Sequence, residues 1–389
     1  MGYDFCDLLY STNYRNKETF KELIIMARFI AFYLPQYHPF PENDEWWGPG
    51  FTEWTNVARA RPLFRGHVQP HIPADLGFYD LRVPETREHQ AQLAREAGVE
   101  GFMYWHYWFG NGKRLMERPF NEVVETGKPD FPFCLAWANH SWYKKLWDPK
   151  AKGKDLLLIE QQYPGVEDYI NHFNTLLPAF KDSRYIRVNG KLLFGIYNAM
   201  KFDDIKTFIT TWRSLAKENG LNDFYFIAQD AESRDKAAML EMGIDAVYNN
   251  NFTTHHKLPL YKKAWLAFRR EYLHQPTVFE YKDVIKDMVY EDCRNIDAIP
   301  TIEPNWDHSP RSGSKAIIYN NPKPELFYEV AKKAIDIVKD KPVEEQLIMI
   351  KSWNEWGEGN YMEPDLEYGK GYINALAKAI YEHKNNQEK

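Results

Sequence analysis

Cysteine is scarce in this chain of 389 residues: Cys6, Cys134 and Cys293 are odd in number and far apart. That pattern argues against a disulfide framework and fits a reducing compartment. No apolar run approaches the ~20 residues that a membrane span needs. Residues 1–25 lack a basic region followed by a continuous apolar core, so they read as a loosely attached extension and not as a signal peptide. Cys6 also stands where a myristoylation signal wants Ser or Thr. A cytoplasmic location is therefore expected. The net charge of −6 is spread along the chain with no basic stripe, which argues against nucleic acid as a partner. Neither G-x-G-x-x-G nor G-x-x-x-x-G-K-[ST] occurs, so the usual phosphate-cradling loops are missing. H-E-x-x-H and Cys/His ligand spacings are also missing. His67, His71 and the pair His255-His256 read as loop or wall residues, and neither a metal nor any other cofactor is expected.

What the chain has in surplus is aromatic surface, with 13 Trp and 25 Tyr. Such residues suit sites that stack flat, amphipathic ligands, because each offers an apolar face and a polar tip. Eight short β-like runs follow one another: "RFIAFYL" (28–34), "EGFMYWHYW" (100–108), "FPFCLAW" (131–137), "KLLFGIY" (191–197), "DFYFIAQ" (223–229), "DAVYNN" (245–250), "AIPTIEP" (298–304) and "QLIMIKSW" (346–353). Helical patterns separate them. One starts at Pro84 and stops at Gly98, and another carries Ile205, Phe208, Trp212 and Leu215 on one face. A third carries Tyr169, Phe173 and Leu176, with Pro178 expected to end or kink it. Strands alternating with helices predict a (β/α)8 barrel in one catalytic domain, residues 26–389. A structured loop over 38–82 and a partly helical insertion over about 252–297 interrupt the alternation.

Barrel enzymes build their sites at the C-terminal ends of the strands. Read off in order, those ends supply Tyr33, Gln36 and Tyr37; Tyr104 and His106; Trp137 and Asn139; Tyr197; Gln229; Asn250; Glu303 and Trp306; and Trp353, Asn354, Glu355 and Glu358. Glu53 and Trp54, from the loop after strand one, join them as expected substrate-binding residues. Amides and carboxylates bond hydroxyl groups, and indoles stack on the C–H faces of sugar rings, so a carbohydrate site is the expected use of such a rim. The oligomeric state is not legible.

Glu355 and Glu358, in "KSWNEWGEG", are the sharpest pair. Glycoside cleavage needs two carboxyl groups, one of them kept protonated. An E-x-x-E pair on a short loop can place both within the width of one sugar. Trp353 and Trp356 are expected to wall the pair from water and raise one pKa, and Gly357 and Gly359 to allow turns that a Cβ would forbid.

The stretches "FYLPQYHPFPENDEWWGPGFTEWTNVARARPLFRGHVQPHIPADLGFYD", "GVEGFMYWHYWF", "PFCLAWANHSW", "EPNWDHSPR" and "SWNEWGEGNYMEP" together closely resemble the WbsX-like family. That family is often labelled a glycosyltransferase of lipopolysaccharide or capsule gene clusters and is also described as glycoside hydrolase family 99-like. The resemblance covers almost the whole chain from about Ala27. It implies a barrel related to retaining endo-α-mannosidases, with Glu355 matching the base that deprotonates the sugar 2-hydroxyl. The 2-oxygen would then attack the anomeric carbon to give a 1,2-anhydro sugar. Glu358 would match the acid/base that protonates the leaving oxygen and then activates water. An axial 2-hydroxyl, hence a mannose- or rhamnose-configured substrate, is implied. Three readings follow. The first is a retaining hydrolase of α-linked polysaccharide. The second is a polysaccharide-assembly glycosyltransferase, for which Arg311 and Lys351 are the candidates to hold a diphosphate, although no D-x-D motif is present. The third is a carbohydrate-binding protein on a decayed barrel.

Overall fold

The computed structural model describes residues 27–144, 156–230, 234–249 and 258–387. Its frame is eight parallel strands: β1 (Arg28–Tyr33), β2 (Gly101–His106), β3 (Phe133–Trp137), β4 (Lys191–Ile196), β5 (Phe224–Asp230), β6 (Ala246–Asn249), β7 in two pieces (Ala298–Ile299 and Thr301–Ile302) and β8 (Leu347–Ile350). Each pairs with its neighbours in chain order. The split strand closes the ring. Its first piece sets Ala298 opposite Val247 of β6, its second sets Ile302 opposite Ile350 of β8, and β8 returns to β1 with Ile348 opposite Phe29. Pro300 divides β7 because it has no N–H to donate, yet its carbonyl still accepts from the Met349 amide at 2.9 Å. This is a (β/α)8 barrel.

The crossover helices are α1 (Pro84–Ala97), α2 (Arg118–Thr126), α3 (Val166–Phe180), α4 (Ile205–Glu218), α5 (Lys236–Glu241), α6 (Tyr281–Met288), α7 (Pro324–Val338) and α8 (Gly371–Gln387). α1 has proline at its start and ends at Gly98 in the left-handed region, φ 81°. α4 buries Ile205, Phe208 and Trp212, the face its spacing predicts. α3 departs from expectation: it runs through Pro178 to Phe180. The proline sits in the last turn, so little helix remains beyond the bond it removes.

The strands are apolar throughout because both faces are covered, by the barrel interior and by the helices. Their parity decides what each side chain can reach. Phe32 of β1 stacks on Trp105 of β2 at 4.8 Å and meets Tyr248 of β6 at 5.3 Å, so it points inward. Tyr33 next to it points outward, and its hydroxyl donates to Gln90 of α1 at 2.7 Å.

The long connection after β1 holds two short helices, Pro41–Trp47 and Glu53–Arg59. The connection from β6 to α6 holds a helix, Leu260–Tyr272, with no buried residue, and a strand, Thr277–Glu280, that pairs with Ile317–Asn320. Asn250, His255, His256, Cys6 and residues 1–25 lie outside the described residues. Among the described residues no helix is long and apolar enough to cross a membrane.

Candidate active site

Beyond β8 the chain turns back on itself. Asn354–Glu355 pairs antiparallel with Asn360–Tyr361, and a single 3-10 turn, Trp356–Glu358, joins them. One turn of backbone therefore separates Glu355 from Glu358. Gly359 closes it at φ 52°, where its amide donates to the Trp356 carbonyl at 2.9 Å. Gly357 is required by close approach: a Cβ there would collide with the Glu53 carboxylate and the Arg311 guanidinium.

The turn is braced on three sides. The Trp356 amide donates to the Tyr37 hydroxyl at 2.9 Å, and its indole stacks on Tyr361 at 3.8 Å and donates to Glu363 at 2.7 Å. Asn305, after β7, accepts from the Asn360 side chain at 2.6 Å and from the Tyr361 amide at 2.9 Å. The Asp307 amide donates to the Glu358 carbonyl at 2.8 Å. Asp307 is itself held by His67 at 2.7 Å and by Gln69. Burial pushes its pKa up, but the bonds from His67, Gln69 and Ser309 outweigh that and hold it below the usual range.

Arg311 occupies the centre. It comes from the short helix Ser309–Ser312 after β7. Its Nε donates to Glu53 at 3.0 Å, and one nitrogen, Nη1, donates to both Glu355 at 3.2 Å and Glu358 at 2.6 Å. His308 Nε2 stands 3.5 Å from Glu358. The Lys351 ammonium lies over the Trp306 ring, 4.6 Å from its centroid.

The two acids are driven apart in protonation. Burial, then the neighbouring Glu358 charge, raises Glu355 to about 7. Glu358 is half-buried, which raises it, but Arg311, His308 and Lys351 outweigh that and hold it well below the usual carboxylate range. Glu303, just past β7, is also lifted to about 7 by burial, against the pull of Lys351. Burial and the local charges thus set the proton affinity of Glu355 above that of Glu358, so a proton shared by the pair is drawn toward Glu355. Pairs of acids with separated affinities are the usual arrangement for acid/base work.

Several residues expected on the rim lie elsewhere. Tyr33 and Tyr104 point outward and touch each other at 4.5 Å in the layer beneath the helices. His106 bonds His172 of α3 at 2.7 Å. The Trp137 indole donates to the Trp108 carbonyl at 2.9 Å and packs on Phe208. Trp353 is fully buried against Phe102. Asn354 accepts from the Leu34 amide and donates to its carbonyl, and Asn139 joins the loops after β3 and β4 through the Asn198 amide and carbonyl. Trp54 donates to the Tyr79 carbonyl at 2.7 Å and packs on Trp356. Trp353 and Trp356 anchor the turn, through Phe102 and through Tyr361 and Glu363.

The structure brings Glu53, Tyr37, Tyr197, Trp306, Glu355 and Glu358 together, with Glu303 close by. Electrostatic coupling to the acids places Tyr37 and Tyr197 beside them. Gln36 is half-buried in the turn after β1, and Gln229 is buried at the end of β5, where its register partner Tyr248 faces inward. Arg311 and Lys351, read from the sequence as candidates to hold a donor's diphosphate, join the acids, with His308 and Tyr107 beside them. Tyr107 is coupled most strongly to Glu355 among the charges around it. The only signal for the first three was their position just past strands seven and eight.

Fold and site together define a (β/α)8 barrel with an acid-rich mouth organised around one arginine. The chain belongs to the family described as Glycosyltransferase WbsX, whose profile matches residues 29–376. Two proteins called "Uncharacterized protein WxcX", from two strains of Xanthomonas campestris pv. campestris, are each 34% identical over 362 residues. The match covers 91% of this chain and 50% of each relative, so the chain spans about half the length of the curated relatives it matches. Among solved structures, a GH99 endo-alpha-mannosidase from Bacteroides thetaiotaomicron bound to BIS-TRIS-propane superposes with TM-score 0.56 at 15% identity, over 93% of this chain and 99% of that one. A "Glycoside hydrolase-like protein" matches with TM-score 0.56 at 16% identity, over 91% and 94%. These likenesses show the fold.

Proposed function

We propose that the chain is a carbohydrate-active enzyme of the glycoside hydrolase family 99-like kind, cleaving α-linked, mannose- or rhamnose-configured glycan with retention of configuration. One observation carries the reading: a single guanidinium nitrogen bonds both Glu355 and Glu358. Two oxygens that close to one atom lie nearer each other than the ~6.5–9.5 Å separation of inverting pairs, and nearer the ~5–5.5 Å of retaining ones. Their divided protonation supplies one proton donor and one base.

In the mechanism implied by the resemblance, Glu355 takes the 2-hydroxyl proton while the 2-oxygen bonds to the anomeric carbon. Glu358 gives its proton to the departing oxygen, then deprotonates the water that attacks the anomeric carbon, while Glu355 returns its proton to the 2-oxygen as the 1,2-anhydro ring opens. The ligand-free site holds the proton toward Glu355. That scheme therefore requires the proton to be handed to Glu358 once sugar enters.

The family's description favours a second reading, transfer of a sugar from an activated donor. The charges weigh against it. Arg311 is engaged by Glu53, Glu355 and Glu358, and Lys351 is surrounded by Glu358, Glu355 and Glu303. A diphosphate drawn to either cation would meet those carboxylates. The test is a panel of α-mannosides and α-rhamnosides with product anomer read by NMR, for wild type and Glu358→Gln. Turnover with retention that Glu358→Gln abolishes is the expected result. Release of sugar only from a nucleotide donor would reverse the reading.

A further inference from the structure

We infer that Arg311, held in place by Glu53, is the positioning residue that decides which of the two candidate catalytic carboxyls carries their shared proton. The inference deepens the reading above and rests on it. Its basis is geometric. The guanidinium is planar, and its five donors form a rigid fork. One edge is pinned by the Nε–Glu53 bond at 3.0 Å, and Glu53 is nearly inaccessible at 5% exposure. With that edge fixed, Nη1 falls between Glu355 and Glu358 and lies closer to the second, 2.6 Å against 3.2 Å. The cation therefore favours charge on Glu358 over charge on Glu355, although the two acids share one turn of backbone.

The other groups facing the pair do not account for the asymmetry as well. Lys351 and Glu303 couple to the site from the ends of β8 and β7, and Lys351 acts on both acids. His308 approaches Glu358 alone, but at 3.5 Å. Tyr37, Tyr107 and Tyr197 are phenols whose pKa values are raised by burial, so they add no charge at neutral pH. Glu53 adds a negative charge, and its contact is with the arginine. The packing at Gly357 points the same way, since any side chain there would displace both Glu53 and Arg311. The turn that carries the two acids is thus shaped to admit this ion pair.

The role also accounts for the mismatch between the resting site and the scheme above. While Nη1 sits on Glu358, that carboxyl cannot act as the acid. A sugar that draws Arg311 from Glu358 toward its own hydroxyls would allow the proton to pass. The clamp would then tie acid function to occupancy of the site.

The experiment titrates the acids directly. Protein with 13C-labelled glutamate side chains is followed by NMR from about pH 2 to 9, with the two resonances assigned through Glu355→Gln and Glu358→Gln. Arg311→Gln is expected to raise the Glu358 midpoint by about 1–3 units, the usual effect of removing an adjacent opposite charge, and to shift the limbs of the kcat/KM pH profile with it. Arg311→Lys keeps the charge but not the fork, and should recover less than half of the shift. Arg311→Met, which keeps most of the stem and lacks the charge, should give the same upward shift and serves as the test if Arg311→Gln does not fold. Unchanged midpoints in folded Arg311→Gln, or in Arg311→Met standing in for it, would overturn the inference, as would full recovery by lysine. If wild type turns over no glycoside, the proposed function fails, while the NMR titration still reports on Arg311.

Discussion

Replacing Gly357 with alanine adds one methyl group at the most crowded point of the candidate site. Built on the present backbone, that carbon would overlap the Glu53 carboxylate and stand 2.9 Å from Arg311 Nε and 3.2 Å from Glu53 Cδ. Glu53 has little room to retreat, since only 6% of its side chain is exposed. Two responses are open. If the turn shifts as a unit, the cost is that of overpacking a tight interior, roughly 1–3 kcal/mol. If Glu53 swings away and leaves Arg311, the loss approaches the ~3–5 kcal/mol of breaking a buried ion pair. It is reduced here because Arg311 keeps Glu355 and Glu358. We therefore expect Gly357→Ala to lower unfolding free energy by about 1–3 kcal/mol. It should also lower kcat/KM by at least ~10-fold, since displacement of positioned groups by about 1 Å costs rates of that order or more. Urea denaturation monitored by tryptophan fluorescence measures the first, and initial rates on a glycoside that wild type turns over measure the second. A variant within 0.5 kcal/mol of wild type, in the range of ordinary surface substitutions, and with undiminished activity would refute the claim that Gly357 is there to admit the Glu53–Arg311 pair.

Other consequences can be checked separately. Glu355→Gln and Glu358→Gln should each lower kcat/KM by about 10²–10⁴-fold, the usual worth of a positioned acid or base, with unchanged far-ultraviolet circular dichroism; a loss of only a few-fold in both would remove them from the chemistry. Buried Glu363, which accepts from Tyr79, Gln90 and Trp356, is lifted to about 7. A carboxyl raised in the folded state contributes stability that is present below its unfolded pKa and is lost as pH rises through the folded value, so stability should fall between about pH 4.5 and 7, by up to about 1.4 kcal/mol per unit for each such group. Glu363→Gln should flatten that slope in denaturation series at pH 5, 6 and 7, and an unaltered slope would show that Glu363 does not titrate there. Asn139→Ala should cost about 1–3 kcal/mol by leaving the Asn198 backbone groups unpaired while KM stays within two-fold; a large rise in KM with normal stability would return Asn139 to the substrate.

The barrel was legible because its signal repeats. Each of the eight apolar runs overlaps one observed strand, and the Pro84 and Gly98 punctuation of α1 falls where the sequence puts it. What could not be read was the facing of each strand. In a parallel sheet covered on both sides, inward and outward positions are equally apolar, so alternation gives no parity. Tyr33, Tyr104, His106 and Trp137 stand at strand ends where a rim residue would stand, but they are outward-facing members of the strand–helix layer. A single inward marker, such as the Phe32–Trp105 stack, settles the parity of β1 and β2, and it is visible only in three dimensions. Arg311 illustrates the complementary difficulty. It meets Glu53 across 258 positions of chain and the paired acids across 44 and 47, and no local pattern encodes contacts of that span.

The tight turn carrying the two glutamates explains why the rest of the rim is so heavily invested in backbone and side-chain bracing. Two carboxyls three residues apart, one buried and one half-buried, repel each other when ionised and are costly to desolvate. Left to itself, such a turn would relieve both costs by rotating one side chain into water. Here the relief is blocked. Tyr37 holds the turn from β1, Asn305 and Asp307 hold it from the loop after β7, and Trp356 is locked behind it by Tyr361 and Glu363. The site instead answers the repulsion with Arg311, which lies closer to Glu358 than to Glu355. Burial and that cation separate the proton affinities of the two carboxyls, and two acids of unequal affinity are what acid/base chemistry uses.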